Sequence, residues 1–342
     1  MKKFIPALLL LVLPILFQLP SIGTSQTRER TVGPTRAESE IKAETIKTDV
    51  DLVNVDVLVL EKNTSRVVGD LGRGDFTVSE DGVNQTISHF SQDRLPLSVL
   101  LMIDRGGCLD PFGDEVRHAA FNALSQLKPA DEVAVMTYHD TTELRQQFTN
   151  DRRAIRRALD WVPPHDERAN HCLDTAFSDA ADYMNTAANP VGRRVIIVIT
   201  GVTRNFDCPG SPSGKAAMQS IFESGAVVCG IVPKTAVQAM ENGMMRWATR
   251  FGRIGGAHTI DIQKLATETG GELLQDKPEK LDATFATLIE HLRTRYNLAF
   301  VSSNKKRDGT VRKLKIELAS ASKKPREKLV VTARKSYVAP KS

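Results

Sequence analysis

The residue with the clearest chemical potential is Asp104, which ends an apolar run from Val99 to Ile103. A run of this length is too short to cross a membrane and is typical of a strand that is buried on both faces. Gly106 and Cys108 come shortly after it, and an amphipathic helix pattern then begins. Open α/β sheets place their sites where a strand ends and a helix follows. A carboxylate there can ligate a cation or accept hydrogen bonds, so Asp104 is the first candidate site residue.

Patterns typical of the common hydrolases and nucleotide-binding proteins are absent or incomplete. The histidines do not have the His-Glu-x-x-His spacing of zinc proteases, and no Gly-x-Ser-x-Gly nucleophile elbow occurs. His171, Cys172 and Asp174 are the residue types of a base, a nucleophile and an orienting acid. Residues so close in sequence seldom meet in that geometry, so a polar loop cluster is the better interpretation. Residues 210–215 are one position short of a phosphate-binding loop. The sequence therefore does not indicate an enzyme.

The beginning of the chain has the pattern of a secretory signal peptide. Two lysines precede an apolar stretch over residues 4–17, and small residues follow up to residue 25. A single membrane anchor is the alternative, but the stretch is short and contains two prolines. Residues 26–45 are polar and without periodicity, which is typical of a flexible linker. We therefore expect an exported protein whose mature chain has no membrane span.

Charge is distributed unevenly along the 342 residues, whose formal net charge is +5. Residues 304–342 contain thirteen Lys or Arg and three acidic residues. Solvated strand faces and turns are the simplest explanation, and a surface for anionic glycans, lipid headgroups or nucleic acid is the alternative. No stacking platform of aromatic residues interleaves with these charges, so nucleic acid is not a predicted partner.

Both ends of the mature chain have strand periodicity. Residues 51–60 place valines on one face, and residues 75–90 have the pattern of a hairpin that turns at Asp81 and Gly82. Alternation returns at residues 314–318, and a second β-rich run follows at 329–333. Such strands need a covering layer, so the two ends are predicted to form one β-sandwich-like module.

The middle of the chain alternates strand and helix patterns, which favours a parallel, doubly wound sheet. Residues 235–260 fit neither pattern and are interpreted as an irregular excursion, either a surface loop or a contact patch of Met and Trp. The predicted strands are 97–103, 131–138, 194–200 and 225–232, and the predicted helices are 114–127, 152–161, 175–184, 265–269 and 281–292. The resulting organisation is a signal peptide at 1–25, a linker at 26–45, sandwich parts at 46–92 and 295–340, and the inserted α/β region at 93–294.

Several short stretches occur in an order that resembles a known family. The stretches are 53–57, 75–82, 99–108, 131–135, 148–152, 265–271, 296–298 and 333–337. The middle of the chain resembles a von Willebrand factor type A domain, and residues 50–340 resemble the exported bacterial VWFA-related proteins found often in Acidobacteria. The resemblance implies a Rossmann-like sheet with helices on both faces.

The same resemblance implies a metal-ion-dependent adhesion site at the carboxyl end of the sheet. That site uses Asp-x-Ser-x-Ser after the first strand, a Thr in a later loop and an Asp after the fourth strand, all oxygen donors suited to Mg²⁺. Asp104 matches the first aspartate, but Gly106 and Cys108 stand at the serines. Asn170 is nearest to the Thr, and Thr200 follows the fourth strand. Glycine offers no side-chain donor and a thiol is a poor Mg²⁺ ligand, so no cofactor is expected and Mg²⁺ at Asp104 is the alternative.

Three cysteines fall on loops that the resemblance places at this end of the sheet. We hypothesise that two of them form a disulfide where a metal would otherwise tie the loops. The pair Cys172–Cys208 is the first choice and Cys108–Cys172 the second, with three reduced thiols as the alternative. Cys229 lies inside an apolar run and is expected to be a buried free thiol.

The sequence thus predicts an exported, non-enzymatic protein-binding or adhesion module that acts through the apical loops of the type A domain without the usual metal. A metal-dependent adhesion module with unusual ligands and a hydrolase of envelope polymers are the alternatives. The expected partner is a protein or cell-envelope ligand, and the oligomeric state is left open. The predicted contact residues are Asp104, Arg105, Asn170, His171, Asp174 and Asp207, with Arg105 suited to a carboxylate.

Overall fold

A computed structural model describes residues 52–92, 96–106, 113–163, 170–189, 193–201, 208–234, 260–319 and 328–341 of the chain. At its centre is a six-stranded sheet in the order β10-β9-β8-β5-β6-β7. All neighbouring strands are parallel except β7, which runs antiparallel to β6. The strands are β5 (Ser98–Asp104), β6 (Glu132–Tyr138), β7 (Thr142–Thr149), β8 (Arg194–Ile199), β9 (Val227–Pro233) and β10 (Leu273–Asp276).

Within the described ranges, six helices cover the two faces of this sheet. Successive residues of β5 point to opposite faces, so Leu101 packs with one set of helices and Leu100 with the other. Helices α1, α2 and α6 cover the first face, and α3, α4 and α5 cover the second. The helices are α1 (Gly113–Ser125), α2 (Arg152–Asp160), α3 (Leu173–Met184), α4 (Gly214–Ser224), α5 (Ile262–Thr269) and α6 (Leu281–Arg293). The predicted α/β fold with a mostly parallel, doubly wound sheet is confirmed.

Two antiparallel sheets from the chain ends pack face to face. One has the order β13-β1-β11-β4 and the other β14-β12-β2-β3. Their inner faces share one apolar core that includes Val55, Phe76, Tyr296 and Leu314. The strands are β1 (Leu52–Glu61), β2 (Phe76–Glu80), β3 (Val83–Gln85), β4 (Ile87–Ser91), β11 (Tyr296–Val301), β12 (Val311–Leu318), β13 (Leu329–Ala333) and β14 (Ser336–Val338). The predicted β-sandwich-like layering is therefore present.

The predicted hairpin at 75–90 is wrong in its second arm. Residues 83–85 pair with β2 as expected, but 87–91 pair with β11 in the opposite sheet. The turn itself is as predicted, because Asp81 and Gly82 have φ values of 47° and 84° and form a tight primed turn. The strand changes sheet because Phe90 packs against Tyr296, with ring centroids 5.8 Å apart.

Three elements of the central region have no counterpart in the sequence prediction, namely β7, β10 and α4. Helix α4 has clear boundaries, since the Ser213 side chain accepts a hydrogen bond from the Ala216 amide and Gly225 ends it with a φ of 67°. Strands β7 and β10 are the two edges of the sheet, where polar residues are tolerated. The predicted excursion at 235–260 lies outside the described residues except for Ile260.

The carboxyl ends of the parallel strands define one edge of the central sheet, here called the apex. Ile103 of β5 is paired with Ile199 of β8, so the next residues, Asp104 and Thr200, emerge side by side. The loops that lead into α3 and α4 also start from this edge. The topology therefore brings together residues that are far apart in sequence. Within the described ranges, no helix is long and apolar enough to span a membrane.

Candidate functional site

Asp104 lies at the centre of the apex, and its side chain is fully enclosed. Its Oδ1 accepts a hydrogen bond from the Gly106 amide over 2.9 Å, and its Oδ2 accepts one from the Thr200 hydroxyl over 2.6 Å. A buried carboxylate is costly unless its oxygens have such partners. The two bonds hold Asp104 in one orientation, with its plane facing the loop that precedes α3.

His171 from that loop lies directly against the Asp104 carboxylate. Its Nδ1 is 3.0 Å from Oδ1 and 2.9 Å from Oδ2, and its side chain is 22% exposed. The ring also lies over Gly106, where an added Cβ would be 2.3 Å from the imidazole Cε1. Glycine at position 106 is therefore required for the histidine to reach the carboxylate.

A disulfide between Cys172 and Cys208 holds the loop that carries His171. The two Cα atoms are 5.7 Å apart, and the bond joins the start of α3 to the segment before α4. This is the pair that the sequence analysis placed first, whereas Cys108 lies outside the described residues. The Cys172 amide also donates to the His139 carbonyl over 3.0 Å. His171 is thus fixed by its immediate neighbour in sequence.

The remaining predicted contact residues have different environments. Asn170 is exposed, and its amide Nδ2 donates to Asp140 Oδ1 over 2.7 Å. That bond lowers the pKa of the Asp140 carboxyl below its ordinary value. Arg105 is half-buried beside the site. Asp174 is only 2% exposed, and its Oδ1 accepts a bond from the Ile260 amide over 2.7 Å, so it anchors the segment before α5. Asp207 lies outside the described residues.

Comparison with known proteins finds a family model that matches the part of the chain around the apex. Residues 99–203, which run from β5 through β8 and carry Asp104, His171 and Thr200, match the model for the von Willebrand factor type A domain. This part of the chain is a von Willebrand factor type A domain. Type A domains are in general interaction modules rather than enzymes.

Three bacterial proteins are among the solved structures to which the chain is similar. An aerotolerance-related membrane protein from Bacteroides fragilis is 13% identical and covers 57% of this chain and 98% of its own, with a TM-score of 0.41. A von Willebrand factor type A protein from Catenulispora acidiphila is 9% identical and covers 86% of this chain and 75% of its own, with a TM-score of 0.43. The PilB minor pilin from Streptococcus sanguinis is 10% identical and covers 60% of this chain and 63% of its own, with a TM-score of 0.41. No curated protein sequence matches the chain.

Among the described residues, the donor set around Asp104 does not fit the magnesium site that type A domains often carry. Both carboxylate oxygens of Asp104 already accept hydrogen bonds, and the imidazole of His171 lies on them where a cation would approach. Mg²⁺ requires near-ideal octahedral oxygen ligation, and Gly106 supplies no side-chain donor. Among the described residues, no group of three or more His, Cys, Asp or Glu could hold a metal ion.

Thr200 is the site residue that the sequence analysis did not identify. It stands where the last aspartate of the metal site would be, and it was therefore counted as a missing ligand. Its hydroxyl instead donates to Asp104, and the residue is fully buried. The pairing of β5 with β8 explains this contact. Asp104 ends β5 and Thr200 follows directly after β8, so the two side chains emerge next to each other.

Cys229 lies away from the apex in β9 and is a buried free thiol, as expected. Burial raises its pKa from 9.0 to about 11. Since the folded protein retains this proton when the unfolded chain would release it, stability should fall as the pH rises from about 9 towards 11. We also expect the native protein to resist alkylation at this residue at pH 8, because the thiolate is the reactive form.

Peptide mapping after iodoacetamide treatment measures this protection directly. The peptide that contains Cys229 should remain unmodified in the native protein and become fully modified in denaturant. Rapid and complete modification at pH 8 without denaturant would contradict the assigned burial.

Proposed function

We propose that the protein is an exported, non-enzymatic partner-binding module that uses the apex of its type A domain without a metal ion. The observation that carries the proposal is the position of His171 on the Asp104 carboxylate. In this interpretation the imidazole, held by a buried acid, replaces the cation as the contact group. The partner is a protein or a cell-envelope ligand.

The hydrogen bonding around the imidazole supports this role. Asp104 is an acceptor, so the neighbouring Nδ1 of His171 carries the proton and Nε2 lies on the far side of the ring. An imidazole oriented by a carboxylate presents Nε2 in a fixed direction, as metal-binding and catalytic histidines do. When protonated, Nε2 is a charged donor for a carboxylate or another acceptor on a partner.

Two neighbouring residues extend the proposed contact surface. Arg105 follows Asp104 directly, and a guanidinium binds carboxylates in a bidentate manner. Asn170 precedes His171 and is exposed, with its orientation fixed by Asp140. Together with His171, these side chains favour a partner that presents acidic or hydrogen-bond-accepting groups.

Export is supported by two independent features. The first is the signal-peptide pattern over residues 1–25. The second is the Cys172–Cys208 disulfide, because disulfides form and persist in oxidising compartments.

A hydrolase is the second candidate, because an imidazole held by a buried carboxylate can also act as a general base. A triad of this kind needs a nucleophile at the imidazole nitrogen that does not face the carboxylate. The Thr200 hydroxyl does not fill that position, since it donates to Asp104 itself. We therefore favour contact over catalysis.

The test is capture of partners from an envelope extract by the immobilised chain. Wild type is compared with Arg105→Ala and His171→Gln at the apex. Arg153→Ala serves as the matched control, because this arginine is highly exposed and lies on α2 beyond the opposite end of the sheet. Each capture is repeated with millimolar Mg²⁺ and with EDTA, and the melting temperature of every variant is recorded.

We expect both apical variants to lose the captured partner while the control variant retains it, with no effect of Mg²⁺ or EDTA. Capture that EDTA abolishes, accompanied by a Mg²⁺-dependent rise in melting temperature, would support the metal-dependent alternative. Capture that is unchanged in both apical variants would remove the apex from consideration.

A further inference from the structure

A groove of about 640 Å³ separates the type A domain from the β-sandwich. One wall is formed by α4 and α5, and the other by the outer face of the sheet that contains β12. None of the described apical contact residues lines it. Its volume lies within the range of clefts that bind small molecules.

The floor of the groove is apolar. Met218 and Phe222 project from α4, and Val311 faces them from β12, whereas Leu314 points into the core of the β-sandwich. Val311 is 47% exposed. Water in such a groove is readily displaced by an alkyl chain.

The rim of the groove is strongly basic. Lys264, Lys313, Lys315 and Lys335 line it, whereas Glu268 is the only acidic residue of the lining. Lys335 is 3.8 Å from Glu268, and Lys315 is 3.0 Å from Glu317. The ammonium groups of Lys264 and Lys313 form no salt bridge among the described residues, and both side chains are exposed, although Asp261 and Asp81 accept hydrogen bonds from their backbone amides. The rim thus retains excess positive charge above an apolar floor.

We propose that this groove binds an anionic amphiphile, that is, a single alkyl chain with a carboxylate or phosphate headgroup. The alkyl chain would lie on Met218, Phe222 and Val311, and the headgroup would lie between Lys264 and Lys313. This pairing of an apolar floor with a cationic rim excludes a cationic or purely polar ligand. The proposal is independent of the partner that binds the apex.

Isothermal titration of the purified chain with laurate, below its micellar concentration, tests this proposal. Dodecyltrimethylammonium has the same chain length and the opposite charge, and a hexaglutamate peptide has the negative charge without the alkyl chain. The variants are Phe222→Ala for the floor, and Lys264→Glu and Lys313→Glu for the rim. Lys264 lies in the first turn of α5, where glutamate is well tolerated, so its variant should fold normally.

Lys305→Glu is the matched control, because it makes the same charge change on an exposed residue that does not line the groove. We expect laurate to bind wild type and the control equally, and each rim variant to bind about tenfold more weakly. Phe222→Ala should weaken binding by a similar factor, and dodecyltrimethylammonium should not bind. Absence of laurate binding, equal loss in Lys305→Glu, or tighter binding of hexaglutamate than of laurate would overturn the proposal.

Discussion

Replacement of both Cys172 and Cys208 by alanine is expected to lower the free energy of unfolding by about 3–4 kcal/mol. The two cysteines are 36 residues apart in sequence, so the bond closes a loop of intermediate length. Closing such a loop removes conformational entropy from the unfolded chain, which accounts for most of the expected stabilisation in the loop-entropy model. For a chain of this size, the loss corresponds to a fall in melting temperature of roughly 4–6 °C.

The same double substitution should also abolish partner capture at the apex. Cys172 is adjacent to His171 in sequence. The backbone amide of Cys172 donates a hydrogen bond to the His139 carbonyl, so the same residue carries this hydrogen bond and the disulfide. Without the bond, the loop gains freedom and the imidazole is no longer held on Asp104. Function is therefore expected to decline even at temperatures where the variant remains folded.

Thermal unfolding of wild type, the double variant and Cys229→Ala separates the disulfide from the general effect of removing a thiol. Cys229→Ala removes a buried sulfur but leaves the Cys172–Cys208 bond. This variant should therefore lower the free energy of unfolding by only about 1 kcal/mol. Wild type in the presence of a reductant should approach the double variant. Equal melting temperatures for wild type and the double variant would show that the bond does not stabilise the fold.

The central strands could be predicted from sequence because their signal is local. Continuous apolar runs such as 195–199 have few alternatives to a buried parallel strand, and β8 was predicted to within one residue. Edge strands have a weaker signal. Strand β7 has Leu144, Gln146 and Phe148 at alternating positions, but polar residues lie between them. It therefore contains no continuous apolar run that would indicate a strand.

The candidate site was only partly predictable, because its geometry depends on contacts between distant residues. Asp104 could be identified from its position after a buried strand. His171 is 67 residues further along the chain, and nothing in its local sequence indicates that its ring lies on that carboxylate. Gly106 was interpreted as the loss of a metal ligand. In the structure, the missing side chain of Gly106 leaves room for the His171 ring. This role depends on the position of the loop before α3, which the local sequence does not indicate.

Asp104→Ala is expected to produce the other large effect, a loss of about 3–5 kcal/mol in the free energy of unfolding. The substitution removes the acceptor of three groups at once, namely the Gly106 amide, the Thr200 hydroxyl and the His171 imidazole. The Thr200 hydroxyl would then be buried without this acceptor, which is costly in itself. Asp104→Asn keeps the shape and one acceptor oxygen, so its loss should be smaller, at about 1–3 kcal/mol.

Chemical denaturation of these two variants can be compared with Asp140→Ala, which removes an exposed carboxylate from the same edge of the sheet and should cost less than about 1 kcal/mol. Gly106→Ala provides the decisive comparison. It leaves Asp104 and its bond to Thr200 in place but puts a methyl group where the His171 ring lies. If the imidazole is the contact group, Gly106→Ala should lose partner capture with only a modest loss of stability. Full capture by Gly106→Ala would mean that Asp104 supports the fold of the apex, and that the histidine above it is not what a partner binds.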